Sequence, residues 1–211
     1  MKRSFTLVEL LVVTVIIGII LAAVVPAFTR LMTGNAVSYG LRMTTSQLNM
    51  ARVEACARRR HVAIVVPNAA ADLNPATENS YRSCFRSCYV EEDGASYKFK
   101  GWVPGTKWEF LPKGAFFHND SVFSGKTISG VKDESNAAGN VLGTTDRSVD
   151  CAVIFTPTGK PVVGGAEAPR IKVAEGVVTG TTDDSIQRKN DANYLTAKIN
   201  RYTGSIKTVQ P

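Results

Sequence analysis

An α+β fold is predicted for this chain: a long amino-terminal helix, transmembrane in its lower half, packed on an antiparallel β-sheet or sandwich domain. Three observations predict it. No charged residue occurs from Leu10 to Thr29. Val37, Leu41, Leu48, Ala51 and Ala55 then recur on one helical face. After Arg60 the chain changes to short β-branched or alternating segments punctuated by Gly, Pro and Asn.

The elements follow in order. Residues 1–4 carry Lys2 and Arg3 and read as a leader, and residues 5–29 as a membrane helix. The 20 uncharged residues from Leu10 to Thr29 make about 30 Å of helix, the thickness of a bilayer core. Glu9 is the exception at its start, because a carboxylate drawn to the membrane centre costs about 2.5–3.5 kcal/mol. The cations at the start hold that end in the cytoplasm and place the bulk of the chain outside. Residues 30–60 continue the helix into a soluble domain, with bends expected at Pro26 and Gly34-Asn35 and an end near Arg58-Arg59-Arg60, whose charges suit a helix carboxy terminus. Residues 61–211 form the β-rich, periplasmic part.

Within that part, His61–Val66, Tyr89–Glu91, Tyr97–Val103, Ala152–Phe155, Arg170–Val173, Tyr194–Ile199 and Ser205–Val209 read as strands, with Tyr97, Phe99 and Val103 on one face. Thr156–Gly159 and Tyr202–Gly204 read as turns. Ser124–Asp150 and Thr179–Asp191 are poor in large apolar residues and read as long loops. Trp102 and Trp108 flank Pro104 and Gly105, and core packing is the commoner fate of such aromatics.

Composition narrows the chemistry. The 211 residues suit one membrane helix and one soluble domain. The net charge of +7, or +5 once Lys2 and Arg3 are removed, permits contact with phosphate or acidic surfaces. An even count of cysteines, Cys56, Cys84, Cys88 and Cys151, in an exported domain favours disulfides. Cys84 and Cys88 would lie roughly 13 Å apart in one straight strand, so they bridge only through a turn at Phe85–Ser87. Otherwise each pairs elsewhere, with Cys56 or Cys151 as candidates. Two histidines and no C-x-x-C pair argue against zinc. No GxSxG, HExxH or GxGxxG is present, and Ser124-Gly125-Lys126-Thr127 lacks the glycine of a phosphate loop because Asp120 stands there. No catalytic residue, metal or cofactor is expected. A secretory signal peptide cut between Ala23 and Ala27, or a plain anchor, would also export the domain. Neither accounts for Glu9, and the apolar run exceeds the usual signal length.

The segment KRSFTLVELLVVTVIIGIILAAVVPAF (Lys2–Phe28) resembles the class III leader and amino-terminal helix of type IV pilins and type II secretion pseudopilins. The resemblance implies cleavage between Ser4 and Phe5 by a prepilin peptidase and methylation of the new Phe5 amine. It places Glu9 at the family's register-setting carboxylate and Pro26 at its helix-breaking proline. Ser4 departs from the pattern, which has glycine there. LNMARVEACARRRHVAIVV (Leu48–Val66), VIFTPTGK (Val153–Lys160) and AKINRYTGSIK (Ala197–Lys207) are similar to segments of the GspH/FimT group of minor pilins and pseudopilins. The implied protein is a structural subunit of a pilus or pseudopilus in the bacterial inner membrane. Its implied partners are other pilin subunits, the peptidase and the inner-membrane assembly platform. Leu7 to Phe28 would pack in the filament core. Some members of the group bind DNA through a basic Gly-Arg-x-Arg motif. The matching positions are Gly204 to Lys207, where only Lys207 keeps a cation, with Lys198 and Arg201 near it. An ordinary edge strand guarded by lysine is the simpler account. An unrelated membrane-anchored periplasmic protein is the remaining alternative.

Overall fold

The computed structural model describes residues 7–68, 81–133, 141–143, 145–180 and 182–210, without the side chains at 23, 25–34, 183, 190 and 191. Ser4, Phe5 and the predicted leader lie outside the described residues, as does the side chain of Pro26. The fold is α+β. Among the described residues one helix, α1 (Leu7–Arg58), precedes eleven strands: β1 (His61–Val65), β2 (Cys84–Asp93), β3 (Ser96–Trp102), β4 (Glu109–Phe110), β5 (Ala115–Phe117), β6 (Ile128–Val131), β7 (Arg147–Val149), β8 (Ala152–Phe155), β9 (Arg170–Val178), β10 (Ile186–Ile199) and β11 (Ile206–Val209). The chain forms two compact units, Met1–Asn35 and Ala36–Pro211.

In the first unit every described side chain of α1 from residue 7 to 24 is exposed. Apart from Glu9, Thr14 and Gly18 these are alanine or larger apolar residues. The Thr14 hydroxyl donates to the Leu11 carbonyl at 2.8 Å, so it presents no unsatisfied donor. Among the described residues no helix is long and apolar enough to cross a membrane. The predicted run Leu10–Thr29 includes the side chains at 23 and 25–29 that lie outside the description.

In the second unit α1 buries the face its periodicity predicts. Val37, Leu41, Leu48, Ala51 and Ala55 are all buried, joined by Ala36. They meet Val62, Ile64, Phe85, Val153 and Phe155 of the first sheet and Ile171, Val173, Ala197 and Ile199 of the second in one cluster. The helix stops in a left-handed cap: Arg59 has φ 52° and the Arg60 amide donates to the Ala55 carbonyl at 3.2 Å.

The first sheet runs β7-β6-β3-β2-β1-β8, with β4 added to β2, and the second runs β11-β10-β9-β5. All pairs are antiparallel except β3 with β6. Strand β1 alternates Val62 and Ile64 toward the helix with Ala63 and Val65 toward a second cluster. Both its faces are therefore covered, which explains its unbroken apolar run.

Several expectations change here. Val103 does not share a face with Tyr97 and Phe99. Tyr89 pairs with Gly101 while Val90 pairs with Phe99, so Lys100 is an extra residue in a bulge, with Gly101 at φ 142°. The bulge inverts the alternation: Trp102 joins Tyr97 and Phe99 in the second cluster, and Val103 packs on the helix side. The two presumed loops hold strands. Ser124–Asp150 contains β6 and β7, and Thr179–Asp191 contains a 3-10 turn at Asp183–Ser185 and the start of β10. β2, β9 and β10 are longer than their apolar cores suggested, and β4 and β5 were not foreseen.

No disulfide joins the cysteines among the described residues. Topology supplies the reason. Cys84 and Cys88 both lie on β2, without the turn a bridge needs. They belong to the second cluster, whereas Cys151 belongs to the helix-side cluster across the sheet. Cys56 lies beside Gly159, past the far end of β8 from Cys151; that strand alone spans about 13 Å.

Candidate functional site

Two surfaces carry the residues singled out by the sequence. The first is the amino-terminal helix. Glu9 sits in the first turn of α1, where a carboxylate complements the exposed amide dipoles, and it is exposed amid an apolar surface. A helix that is apolar on every side belongs in lipid or among other helices.

The second is the outer face of the β9–β11 sheet. Strand alternation sends Ile171, Val173, Ala197 and Ile199 inward and leaves the intervening residues outside. Lys198 lies directly opposite Lys207 on β11 and opposite Arg170 on β9. Three cations thus form one row across three strands. Like charges directly opposite one another destabilise a sheet; Glu167 offsets Arg170 at 3.2 Å, and Lys198 and Lys207 face each other across the strands. Beside it Lys172 lies 3.8 Å from the Tyr194 ring centroid and 3.0 Å from Asp120. That hydrogen bond from Lys172 holds the Asp120 carboxyl below the ordinary aspartate range, against slight desolvation. Arg170, Lys172, Tyr194 and Lys198 line a shallow cavity of about 300 Å³.

Of the predicted basic trio, Lys198 and Lys207 come together and Arg201 does not. Arg201 stands in the β10–β11 turn, its guanidinium 5.7 Å from the Tyr202 ring and 3.4 Å from the Ala166 carbonyl. Asn200 builds that turn by accepting the Tyr202 and Thr203 amides at 2.9 and 3.0 Å. Gly204 has φ 68°, and a Cβ there would stand 1.9 Å from the Gly159 carbonyl oxygen, so glycine is required. Sequence reasoning missed Arg170 and Lys172. The alternation Arg170-Ile171-Lys172-Val173 carried the signal.

The arginines ending α1 serve the helix. Arg58 pairs with Glu54 at 3.2 Å, and Glu54 also accepts the Tyr89 hydroxyl at 2.6 Å. Arg60 lies 5.9 Å from the Tyr89 ring. The tryptophans are structural. Trp102 and Trp108 meet edge to face at 5.4 Å, and Trp108 donates to the fully buried Asp133 at 2.9 Å. Arg86 stacks 4.3 Å from Trp102 and reaches Asp133 at 3.2 Å. Among the described residues no group of three or more His, Cys, Asp or Glu is placed to hold a metal.

Residues 1–25 match the family model described as the prokaryotic N-terminal methylation motif. The motif covers the start of α1 and includes Ser4, Phe5 and Glu9. Among solved structures the chain is similar to the type IV minor pilin FimU of Pseudomonas aeruginosa, at 15% identity over 84% of this chain and 90% of that one, with a TM-score of 0.40. It is also similar to the minor pseudopilin EpsH from the type 2 secretion system of Vibrio cholerae, at 11% identity over 83% and 96%, with a TM-score of 0.42. Both superpositions are loose. No curated protein matches the chain.

Proposed function

We propose that the chain is a minor pilin or pseudopilin, an anchored structural subunit of a type IV pilus or type II secretion pseudopilus. The observation that carries this is the helix at the amino terminus: it bears a methylation motif and exposes apolar side chains on every side. Such a surface needs lipid before assembly and neighbouring helices after it. The chain waits in the bacterial inner membrane as a single-pass protein with its β domain in the periplasm. A prepilin peptidase cuts between Ser4 and Phe5, and the Phe5 amine is methylated. The assembly platform then moves the chain into a filament. There Glu9 meets the Phe5 amine of a neighbour and sets the register, with no turnover chemistry asked of any residue. Co-expression with peptidase and platform is expected to shift the chain from the membrane fraction into sheared, sedimentable filaments. A chain that stays in the membrane fraction under those conditions speaks against the proposal.

A second reading is supported by the row Arg170–Lys198–Lys207: the β domain holds DNA by its phosphates during uptake. Each phosphate contact contributes a salt-sensitive increment. Gel-shift titrations at several salt concentrations are expected to show weak binding, and Lys198→Ala with Lys207→Ala to lower the salt slope by roughly two units. An unchanged slope removes these lysines from any DNA contact.

A further inference from the structure

The strands that end a sheet present outer backbone groups that need partners. At β8 they have them. The Ala152 and Ile154 carbonyls accept from the Ser124 and Val162 amides at 2.9 and 2.7 Å, and the Ile154 amide donates to the Ser124 hydroxyl at 2.9 Å. β5 is also closed, with the Phe117 amide donating to the Arg82 carbonyl at 2.8 Å. β7 is short and irregularly paired with β6. β11 differs from all three. The Asn200 amide donates to the Ser205 carbonyl at 2.8 Å. From there the antiparallel alternation turns the amides and carbonyls of Lys207 and Val209 toward β10, and those of Ile206 and Thr208 away from it. Among the described residues nothing meets these outward groups. Lys207, Thr208 and Val209 are exposed, so the edge is open to solvent.

We propose that β11 is a docking edge for an extended, acidic segment of another protein, which adds to the four-stranded second sheet as a further strand. The edge lies wholly within the Ala36–Pro211 unit, and the proposal needs neither the filament nor the DNA reading. Three features select that occupant. First, amides and carbonyls that alternate along a strand are met in full by another extended backbone. A DNA phosphate only accepts, and would leave the Ile206 and Thr208 carbonyls without donors. Second, Lys198 and Lys207 face each other and have no ion-pair partner among the described residues, whereas Arg170 has Glu167. A carboxylate opposite Lys207 supplies the missing anion. Toward an added antiparallel strand Lys207 takes a non-hydrogen-bonded position, where facing side chains stand closest. Third, the same charge turns away a second copy. In the register that overlaps β11 fully, Lys207 would face its own counterpart, and like charges directly opposite destabilise a sheet. Lysine thus guards the edge against self-pairing and leaves it open to acid.

The test uses the full-length chain in detergent micelles and a labelled, end-capped heptapeptide that alternates valine and glutamate. Fluorescence anisotropy reads binding, and amide exchange by NMR reads its place. The expected result is salt-sensitive binding with new protection of the Ile206 and Thr208 amides. A peptide with lysine in place of glutamate should bind at least about tenfold more weakly. Thr208→Pro removes an outward donor and keeps both lysines, and should weaken binding by at least about tenfold. Retained protection of the Lys207 amide shows that β11 stays on β10 in that variant. Should proline release the strand, the parent chain answers the same question with methylated peptides. Glutamates opposite Lys207 place the valine amides toward β11, so methylation of the valine nitrogens should abolish binding and methylation of the glutamate nitrogens should spare it. Equal binding of the glutamate and lysine peptides, or no binding at low salt, overturns the proposal. So does binding that survives valine methylation while both amides keep exchanging, because the lysines then attract acid without strand pairing, as they would a DNA phosphate. Concentration-dependent protection of both amides without peptide means that a second copy holds the edge, and overturns it too.

Discussion

Replacing Asp133 by alanine is expected to cost about 3–5 kcal/mol of folding stability, the cost of removing one partner from a buried ion pair. The side chain is fully buried. It accepts hydrogen bonds from Trp108 Nε1 and the Leu142 amide, each at 2.9 Å, and from Arg86 at 3.2 Å. Its own amide donates to the Gly143 carbonyl at 2.8 Å, so this residue ties the chain after β6 to the 141–143 segment and to β2. Alanine leaves the Arg86 guanidinium between the Trp102 ring and the Thr106 carbonyl without its counter-charge. Burial already lowers the pKa of that guanidinium, with Asp133 opposing the shift, and its Nε has no hydrogen-bond partner. At about 2–4 °C per kcal/mol for a domain of this size, Tm should fall by roughly 6–20 °C. The double replacement Arg86→Met with Asp133→Leu should recover only part of the loss, because it removes the unpaired charge but still leaves the buried Trp108 Nε1 and Leu142 amide donors without their acceptor. A single-variant loss below about 1 kcal/mol in denaturant unfolding would mean that the pair contributes little.

Glu9→Leu is expected to abolish assembly while leaving membrane insertion intact. Leucine extends the uncharged run Leu10–Thr29 and removes a carboxylate that is costly in lipid. Were Glu9 only a burden, the variant would insert and assemble better than the parent chain. The filament account requires the reverse. In a filament core the carboxylate and a neighbour's Phe5 amine pair in apolar surroundings, and deleting one partner strands the other. A loss of a few kcal/mol at each contact is more than a tenfold loss of affinity, since 1.4 kcal/mol is one factor of ten. Sedimentable filament should drop by at least about that factor at equal membrane level. Wild-type filament yield from a cleaved Glu9→Leu chain would remove Glu9 from assembly.

How much of this was legible in the chain depended on which force shaped each segment. The buried face of α1 and strands β1 and β8 were legible because apolar burial writes a period into the sequence. Residues Gln187 and Arg188 of β10 were not, because they are exposed and held by backbone pairing to β9 rather than by a core. β6 and β7 escaped for a similar reason: each has few residues, and they stand at the end of the sheet. Val103 was misplaced because one extra residue at Lys100 reverses every later side chain. The cysteine count suggested bridges, but pairing depends on which face of a sheet each residue meets, and the alternation around Cys84, Cys88 and Cys151 became clear only with the topology. The basic row was half legible: Lys198 and Lys207 were named from one hairpin, whereas Arg170 arrives from a strand distant in sequence.

The central claim is that this chain enters a filament through a processed amino terminus. Intact mass spectrometry of the chain, expressed with and without the prepilin peptidase, tests it most directly. The account predicts loss of Met1–Ser4 and gain of one methyl group on Phe5, only when the peptidase is present. A cut near Ala23–Ala27, or an uncut chain in both conditions, would contradict it.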